Sequence, residues 1–210
     1  MLRILVADDH AVVRQGVRGI LMEEFGPVTF GEARNGEELM EAIRKQEWDI
    51  LILDITMPGK SGLDALKEIR PLRPRLPVLV LSMHPEDQFA VRVLKAGAAG
   101  YMTKERAPEE LIGAIKKVLA GGKYVSSTLA ERLAFNLDQE TEKAPHEMLS
   151  DREYEVLCMI ASGKTVGEIA DILYLSVKTV STYRARILEK MNLRTNAELT
   201  HYAMKNHLVE

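Results

Sequence analysis

Cysteine is nearly absent: Cys158 is the only one in 210 residues. An intramolecular disulfide is therefore excluded, and a reducing, cytoplasmic setting is expected. Cys158 lies in the helical run from Tyr154 to Ala161 and reads as a small core residue rather than a reactive thiol. An excess of either charge is lacking too. With a formal net charge of −3, no global basic field announces nucleic acid, although a local basic stripe is enough to bind it. No stretch approaches the roughly 20 apolar residues that a membrane span needs, so no membrane partner is expected. Residues 1–9 carry no long apolar segment behind a basic start, which argues against a signal peptide. There is no internal repeat and no low-complexity tract.

The composition that remains, 46% hydrophobic and 28% charged, is that of a globular chain long enough for two small domains. From the start to about residue 120, short apolar runs alternate with helix-period segments. Ile4 to Ala7 reads as a strand, and Val13, Val17, Ile20 and Leu21 then share one helical face. Strands follow at Val28–Ala33, Asp49–Leu53, Val78–Leu81 and Ala99–Met102. Helices are predicted at Glu37–Lys45, at Leu63–Leu72 ended by the prolines at 71, 74 and 77, and at Gln88–Ala96. A fifth helix is built on Leu111, Ile115, Val118 and Leu119. Strands that are apolar almost throughout must be covered on both faces, which implies a parallel sheet between helix layers. Five βα units suggest a flavodoxin-like, doubly wound α/β order, with ligands at the carboxyl ends of the strands.

Gly121-Gly122 is expected to close this domain, giving a first domain of 1–122. Residues 123–147 are read as a linker with one helix, Ser127 to Leu137, and a polar, proline-containing stretch from Asp138 to Glu147. Residues 148–210 are all-α by pattern. Ser150-x-x-Glu153, Thr165-x-x-Glu168 and Thr195-x-x-Glu198 each match a capping box, and Ser176 is placed to cap a further helix. Gly163 stands where the first of four short helices must stop; these are expected near 151–162, 166–173, 177–190 and 196–206.

The chemistry concentrates at the strand ends. Asp8 and Asp9 follow the first strand, Asp54 the third, Ser82 the fourth, and Lys104 lies just past the fifth. A parallel sheet brings all of these to one edge. Three carboxylates repel one another unless a hard cation such as Mg²⁺ sits among them. One can then act as nucleophile toward a phosphoryl group, giving an aspartyl phosphate, while a lysine and a hydroxyl orient the phosphoryl oxygens. Any one of these side chains alone would be read as a solvated cap on a sheet edge; five in register are not.

Residues 1 to about 122 thus resemble a response-regulator receiver domain. The Asp8-Asp9 pair, Asp54 within Leu53-Asp54-Ile55-Thr56-Met57-Pro58-Gly59-Lys60-Ser61-Gly62, Ser82 and Lys104 match that pattern. The resemblance implies that Asp54 is the phosphoacceptor and that Mg²⁺ is the cofactor. Asp8, Asp9, Asp54 and the backbone carbonyl of Thr56 would be the metal ligands. It makes Ser82 the switch hydroxyl, Tyr101 the switch aromatic and Lys104 the partner of the acceptor carboxylate. Thr56 and His84 flank the site, where the resemblance implies a role in phosphate lifetime. Glu105, not proline, follows Lys104, a departure that bears on the peptide geometry there.

From Leu149 the strings Leu-Ser-Asp-Arg-Glu, Glu168-Ile169-Ala170 and Leu175 to Tyr183 resemble the LuxR-type helix-turn-helix of NarL/FixJ regulators. Val166, Ile169, Ala170 and Leu173 would be the buried face of its first helix. Val180, Ile187 and Met191 would line the inner stripe of the second. The outer face shows Lys178, Ser181, Thr182, Ala185 and Arg186, and residues 176–194 hold five basic side chains against one acidic. A recognition helix enters the major groove. Ser181 and Thr182 are assigned to base edges, and Lys178, Thr179, Tyr183, Arg186 and Lys190 to phosphates.

The expectation is a non-enzymatic two-component regulator, capable at most of self-phosphorylation and dephosphorylation. Its partners would be a cognate histidine kinase, double-stranded DNA, a second copy when phosphorylated, and RNA polymerase as a further contact. Two rivals remain: a small-molecule phosphotransferase or phosphatase, which the tight loops leave no room for, and a protein-interaction module, which the basic outer face disfavours.

Overall fold

In the computed structural model, the described residues are 1–131, 144–206 and 208–209. They fall into two units, Met1–Leu133 and Ala134–Glu210.

The first unit is a five-stranded, all-parallel sheet in the order β2-β1-β3-β4-β5. Its strands are β1 (Arg3–Ala7), β2 (Thr29–Ala33), β3 (Ile50–Leu53), β4 (Val78–Ser82) and β5 (Gly100–Thr103). The helices between and after them are α1 (Ala11–Phe25), α2 (Gly36–Lys45), α3 (Gly62–Leu72), α4 (Glu86–Lys95) and α5 (Ala107–Leu119). The flavodoxin-like expectation holds. Ile4, Val6, Ile50, Ile52, Leu79 and Leu81 pack in one cluster with Val17 and Leu21 of α1 and Leu111, Ile115 and Val118 of α5. Side chains alternate along a strand, so Leu5, Leu51, Leu53 and Val80, also buried, face the opposite layer. Each such side chain contributes roughly 1.5–3 kcal/mol on leaving water.

Local chemistry sets several boundaries. Asn35 and Ser61 cap α2 and α3 by accepting the amides of Glu38 and Asp64. Pro71 does not end α3 but lies inside its last turn. The helix runs out at Leu72, so a missing amide so near its end interrupts little of the ladder. The domain also does not close at Gly122. Tyr124 pairs with Gly100 along the outside of β5, and a helical turn at 127–131 follows. Of the helix expected at Ser127–Leu137, residues 132–137 lie outside the described residues, as does 138–143 of the polar stretch.

Among its described residues the second unit has a 3-10 turn, Pro145–Met148, followed by four helices: α6 (Asp151–Ala161), α7 (Val166–Ile172), α8 (Val177–Lys190) and α9 (Asn196–Lys205). All three capping boxes form, with Glu153, Glu168 and Glu198 reaching back to the cap residues, and Ser176 caps α8. Gly163 takes φ +85° just past α6, where only a residue without Cβ sits free of strain. Tyr174 and Asn192 end α7 and α8 in the same left-handed region.

Candidate functional site

The ladder carries the acidic residues to one level. Ala7 pairs with both Ala33 and Leu53. One residue on, the Asp8 amide donates to Ala33 O at 3.0 Å and the Asp54 amide to Ala7 O at 2.8 Å. Ser82 pairs with Thr103, so Lys104 follows at the same edge. The side chains then meet: Lys104 Nζ is 2.8 Å from Asp8 Oδ2 and 2.6 Å from Asp54 Oδ2. The other oxygens are held as well. Asp8 Oδ1 accepts the His10 amide at 2.8 Å and Asp54 Oδ1 the Thr56 amide at 3.0 Å.

Both carboxylates are 2% exposed, and burial raises the Asp54 pKa to about 6, with Asp8 adding to the rise and Lys104 and the Thr56 amide opposing it. Burial also works against the Lys104 ammonium, but Asp54 and Asp8 outweigh it and its pKa is raised. The result is a buried, ionisable carboxylate beside a fixed cation, in surroundings where electrostatic interactions are strong.

Asp8, Asp9, His10 and Asp54 each offer a ligand atom, all within 4.8 Å of one another. Asp9 Oδ1 is buried without a hydrogen bond, although His10 Nδ1 lies 2.8 Å from it. An orphaned carboxylate oxygen next to two more carboxylates is the donor set of a hard divalent cation. The residues present therefore fit Mg²⁺. His10 was missed in the sequence; an exposed histidine after an acidic pair carries no signal of its own there. For Thr56, it is the amide on Asp54 that the structure shows.

Ser82 and Tyr101, the residues expected to act as a switch, lie behind the carboxylates. Ser82 is fully buried, and its Oγ accepts the His84 amide at 3.1 Å. Tyr101 is 1% exposed and turned inward, its hydroxyl donating to His84 O at 2.8 Å. Burial pushes its phenol pKa well up, against a hydrogen bond with Ser82. Thr56 Oγ1 and His84 Nε2 are 3.1 Å apart, which joins the two flanking positions directly. Among the described residues no peptide is cis, Lys104-Glu105 included.

In the second unit Val180, Ile187 and Met191 are buried, whereas Lys178, Ser181, Thr182, Ala185 and Arg186 are exposed. This is the division expected of a recognition helix. Thr182 Oγ1 donates to Lys178 O at 2.9 Å. Thr179 is tied to Ser176, the hydroxyls 2.8 Å apart, and Tyr183 is half-buried. Lys190 departs from its expected place at a phosphate. Its ammonium is 2.6 Å from Glu153 Oε2, because a buried carboxylate that already serves a capping box needs a cation. The sequence also gave no warning of the exposed Tyr174 and Val177 at the turn.

Comparison with known proteins agrees with both halves. The model of the response regulator receiver domain matches residues 4–116, and that of the bacterial regulatory proteins of the luxR family matches 147–203. The chain belongs to the NarL/FixJ family of response regulators. Like its relatives, this regulator combines a receiver with a DNA-binding helix-turn-helix. It is 37% identical over 209 residues to the response regulator UvrY of Escherichia coli, covering 99% of this chain and 96% of UvrY. It is 38% identical over 211 residues to the response regulator GacA of Pseudomonas aeruginosa, covering 100% and 99%. Among solved structures, RcsB of Salmonella typhimurium superposes with a TM-score of 0.69 at 29% identity, over 100% of this chain and 98% of that one. RcsB bound to the promoter rprA in the presence of the phosphomimetic BeF3- gives 0.63 at 29%, over 96% and 98%.

Proposed function

We propose that this regulator is phosphorylated on Asp54 by a partner histidine kinase, and that the modification controls sequence-specific DNA binding as a dimer. The observation that carries the reading is the convergence of Asp8, Asp54 and Lys104 at 2.6–2.8 Å from three strand ends. In the transfer, an Asp54 oxygen bonds to phosphorus while the bond to the kinase imidazole breaks, and that imidazole leaves with the electron pair. Asp54 attacks as the carboxylate. Lys104, already within ion-pair distance, is placed to meet the new negative charge. Mg²⁺, held by Asp8, Asp9, Asp54 and the Thr56 carbonyl, would supply charge neutralisation for the phosphoryl oxygens. The protein is then a phosphoacceptor with self-phosphorylation and dephosphorylation at most, not an enzyme acting on other substrates.

The phosphoryl group adds about −1.5 to −2 charge, and Ser82 and Tyr101 follow it, shifting a two-state equilibrium. Lys178 and Arg186 hold phosphates while Ser181 and Thr182 face base edges. The promoter complex of RcsB formed with a phosphomimetic supports DNA as the target. A DNA-bound regulator works in the cytoplasm, where RNA polymerase is within reach. Among the described residues no helix is long and apolar enough to cross a membrane. The test is Mg²⁺-dependent labelling by a small acyl-phosphate donor: wild type is expected to take up one phosphoryl group, Asp54→Asn none. Equal labelling of the variant contradicts the assignment.

A further inference from the structure

Four ligand-type side chains meet at the carboxyl edge of the sheet, and one of them is not an oxygen donor. Asp8, Asp9, His10 and Asp54 each bring an atom to within 4.8 Å of the others. His10 Nδ1 lies 2.8 Å from Asp9 Oδ1 and 3.3 Å from Asp8 Oδ1. At 2.8 Å a hydrogen bond would be expected, yet Asp9 Oδ1 is buried without one among the described residues. The ring nitrogen therefore stands beside the oxygen, out of line for donation. Neighbouring ligands on an octahedral cation with bonds of about 2.1 Å lie about 3 Å apart, which is the spacing His10 Nδ1 keeps from both carboxylates. The backbone holds the ring there. His10 is the extended N-cap of α1, and its side chain makes no cap bond. Its amide donates to Asp8 Oδ1 at 2.8 Å, and its carbonyl accepts the Arg14 amide at 3.2 Å. Arg14 is itself buried, with Nη1 donating to Asp8 O and Nε to Glu32 Oε2, each at 2.8 Å. The turn Asp8-Asp9-His10 is thus tied at both ends. The His10 side chain is 60% exposed and that of Asp9 10%, so the imidazole stands on the solvent side of the carboxylates.

We propose that His10 Nδ1 is a nitrogen ligand of the metal site, and that the site therefore binds a borderline divalent transition ion, of the Fe²⁺, Co²⁺ and Zn²⁺ class, more tightly than Mg²⁺. The inference rests on the metal-site reading above and names the class of metal that the site prefers. Mg²⁺ is a hard ion that takes oxygen ligands. Imidazole suits iron, nickel, copper and zinc, and affinity at a given site rises along the first transition row toward copper. The carboxylates of Asp8, Asp9 and Asp54 serve either kind of ion. The ring nitrogen adds affinity for the transition ion and little for Mg²⁺. A ligand already fixed by its own backbone also loses less freedom on binding than one recruited from solution. Phosphoryl uptake at Asp54 then depends on which divalent ion is at hand.

The test is metal binding to the untagged full chain, with Co²⁺ and Mg²⁺ as the probes. Calorimetric titration gives both affinities in wild type, His10→Ala and His84→Ala; the second variant is included because the His84 ring bonds Thr56 beside the site. X-ray absorption at the cobalt edge reports a directly bound imidazole by its outer-shell scattering, a reading that wild type gives without any variant. Fluorine NMR of beryllofluoride with Mg²⁺, a mimic of the phosphoryl group, is run on the same samples. Wild type is expected to bind Co²⁺ about 100-fold or more tightly than Mg²⁺, with one imidazole on the metal. In His10→Ala the imidazole scattering disappears and the preference for Co²⁺ narrows by about tenfold or more. Co²⁺ bound without imidazole overturns the proposal and leaves the carboxylate metal site standing. So does imidazole scattering that is lost in His84→Ala and kept in His10→Ala. Wild type that binds neither ion and takes up no mimic overturns the metal-site reading, and the role of His10 with it.

Discussion

At the carboxyl edge of the receiver sheet, Asp8 and Asp54 are each 2% exposed and share the Lys104 ammonium. On the outer face of α8, Lys178 and Arg186 stand in solvent. The first arrangement joins residues 46 and 50 positions apart through tertiary structure; the second comes from one helix and its cap. Buried charges interact strongly and depend on each other, so one substitution disturbs the whole cluster. Exposed charges are screened and act nearly independently. In the proposed function the signal is therefore received at a cooperative site and delivered through an additive one.

The sharpest way to break this contrast is Lys104→Met. It removes the ammonium that Asp8 and Asp54 share, and mimic affinity is expected to fall by at least about 100-fold, roughly 2.7 kcal/mol. Fluorine NMR titration checks it; a loss below about threefold would mean the site is not cooperative. Gly62→Ala comes next. Its Cβ would lie 2.0 Å from Asp54 O and 2.7 Å from Ile55 Cα, both backbone atoms that cannot step aside. Destabilisation of about 1–3 kcal/mol or more is expected in urea unfolding, with a weakened mimic response.

Lys190→Met tests a basic residue of α8 that is tied to the fold. The loss of Glu153's partner is expected to cost about 1–2 kcal/mol while the salt dependence of DNA binding stays unchanged. Burial works against the Glu153 carboxylate, yet Lys190 and Ser150 hold its pKa below the ordinary 4.5. A depressed carboxylate stabilises the fold above that value and loses its contribution as pH falls through its lower folded pKa. Wild-type stability should thus drop in acid, and Lys190→Met should flatten that drop. The smallest effects belong to Lys178→Ala and Arg186→Ala. Each should weaken binding to any duplex and reduce the slope of log affinity against log salt by about one. A change confined to one base position would reassign the residue to sequence reading.

Much of both regions was legible in the chain. Apolar runs fixed the strands, and Asp8, Asp9, Asp54, Ser82 and Lys104 each stand at a strand end, so topology alone gathers them. The hydroxyl-x-x-Glu spacings located three helix starts because the capping box is a local device. What escaped depends on contacts that leave no periodic trace. Lys190 and Glu153 meet across 37 positions, and a lysine on an amphipathic helix looks the same whether it faces phosphate or carboxylate. Tyr124 adds a single residue beside β5, too short for any strand pattern. His84 joins Thr56, Ser82 and Tyr101 through its ring, amide and carbonyl, and two of those three are backbone atoms that every residue possesses.

In the proposed function, Asp54 governs DNA binding. Duplexes selected from a random pool by the full-length protein, with and without beryllofluoride and Mg²⁺, test it most directly, with Asp54→Asn alongside. Enrichment of paired half-sites that depends on the mimic and disappears in the variant is expected. Equal enrichment with and without mimic, or in Asp54→Asn, would contradict it.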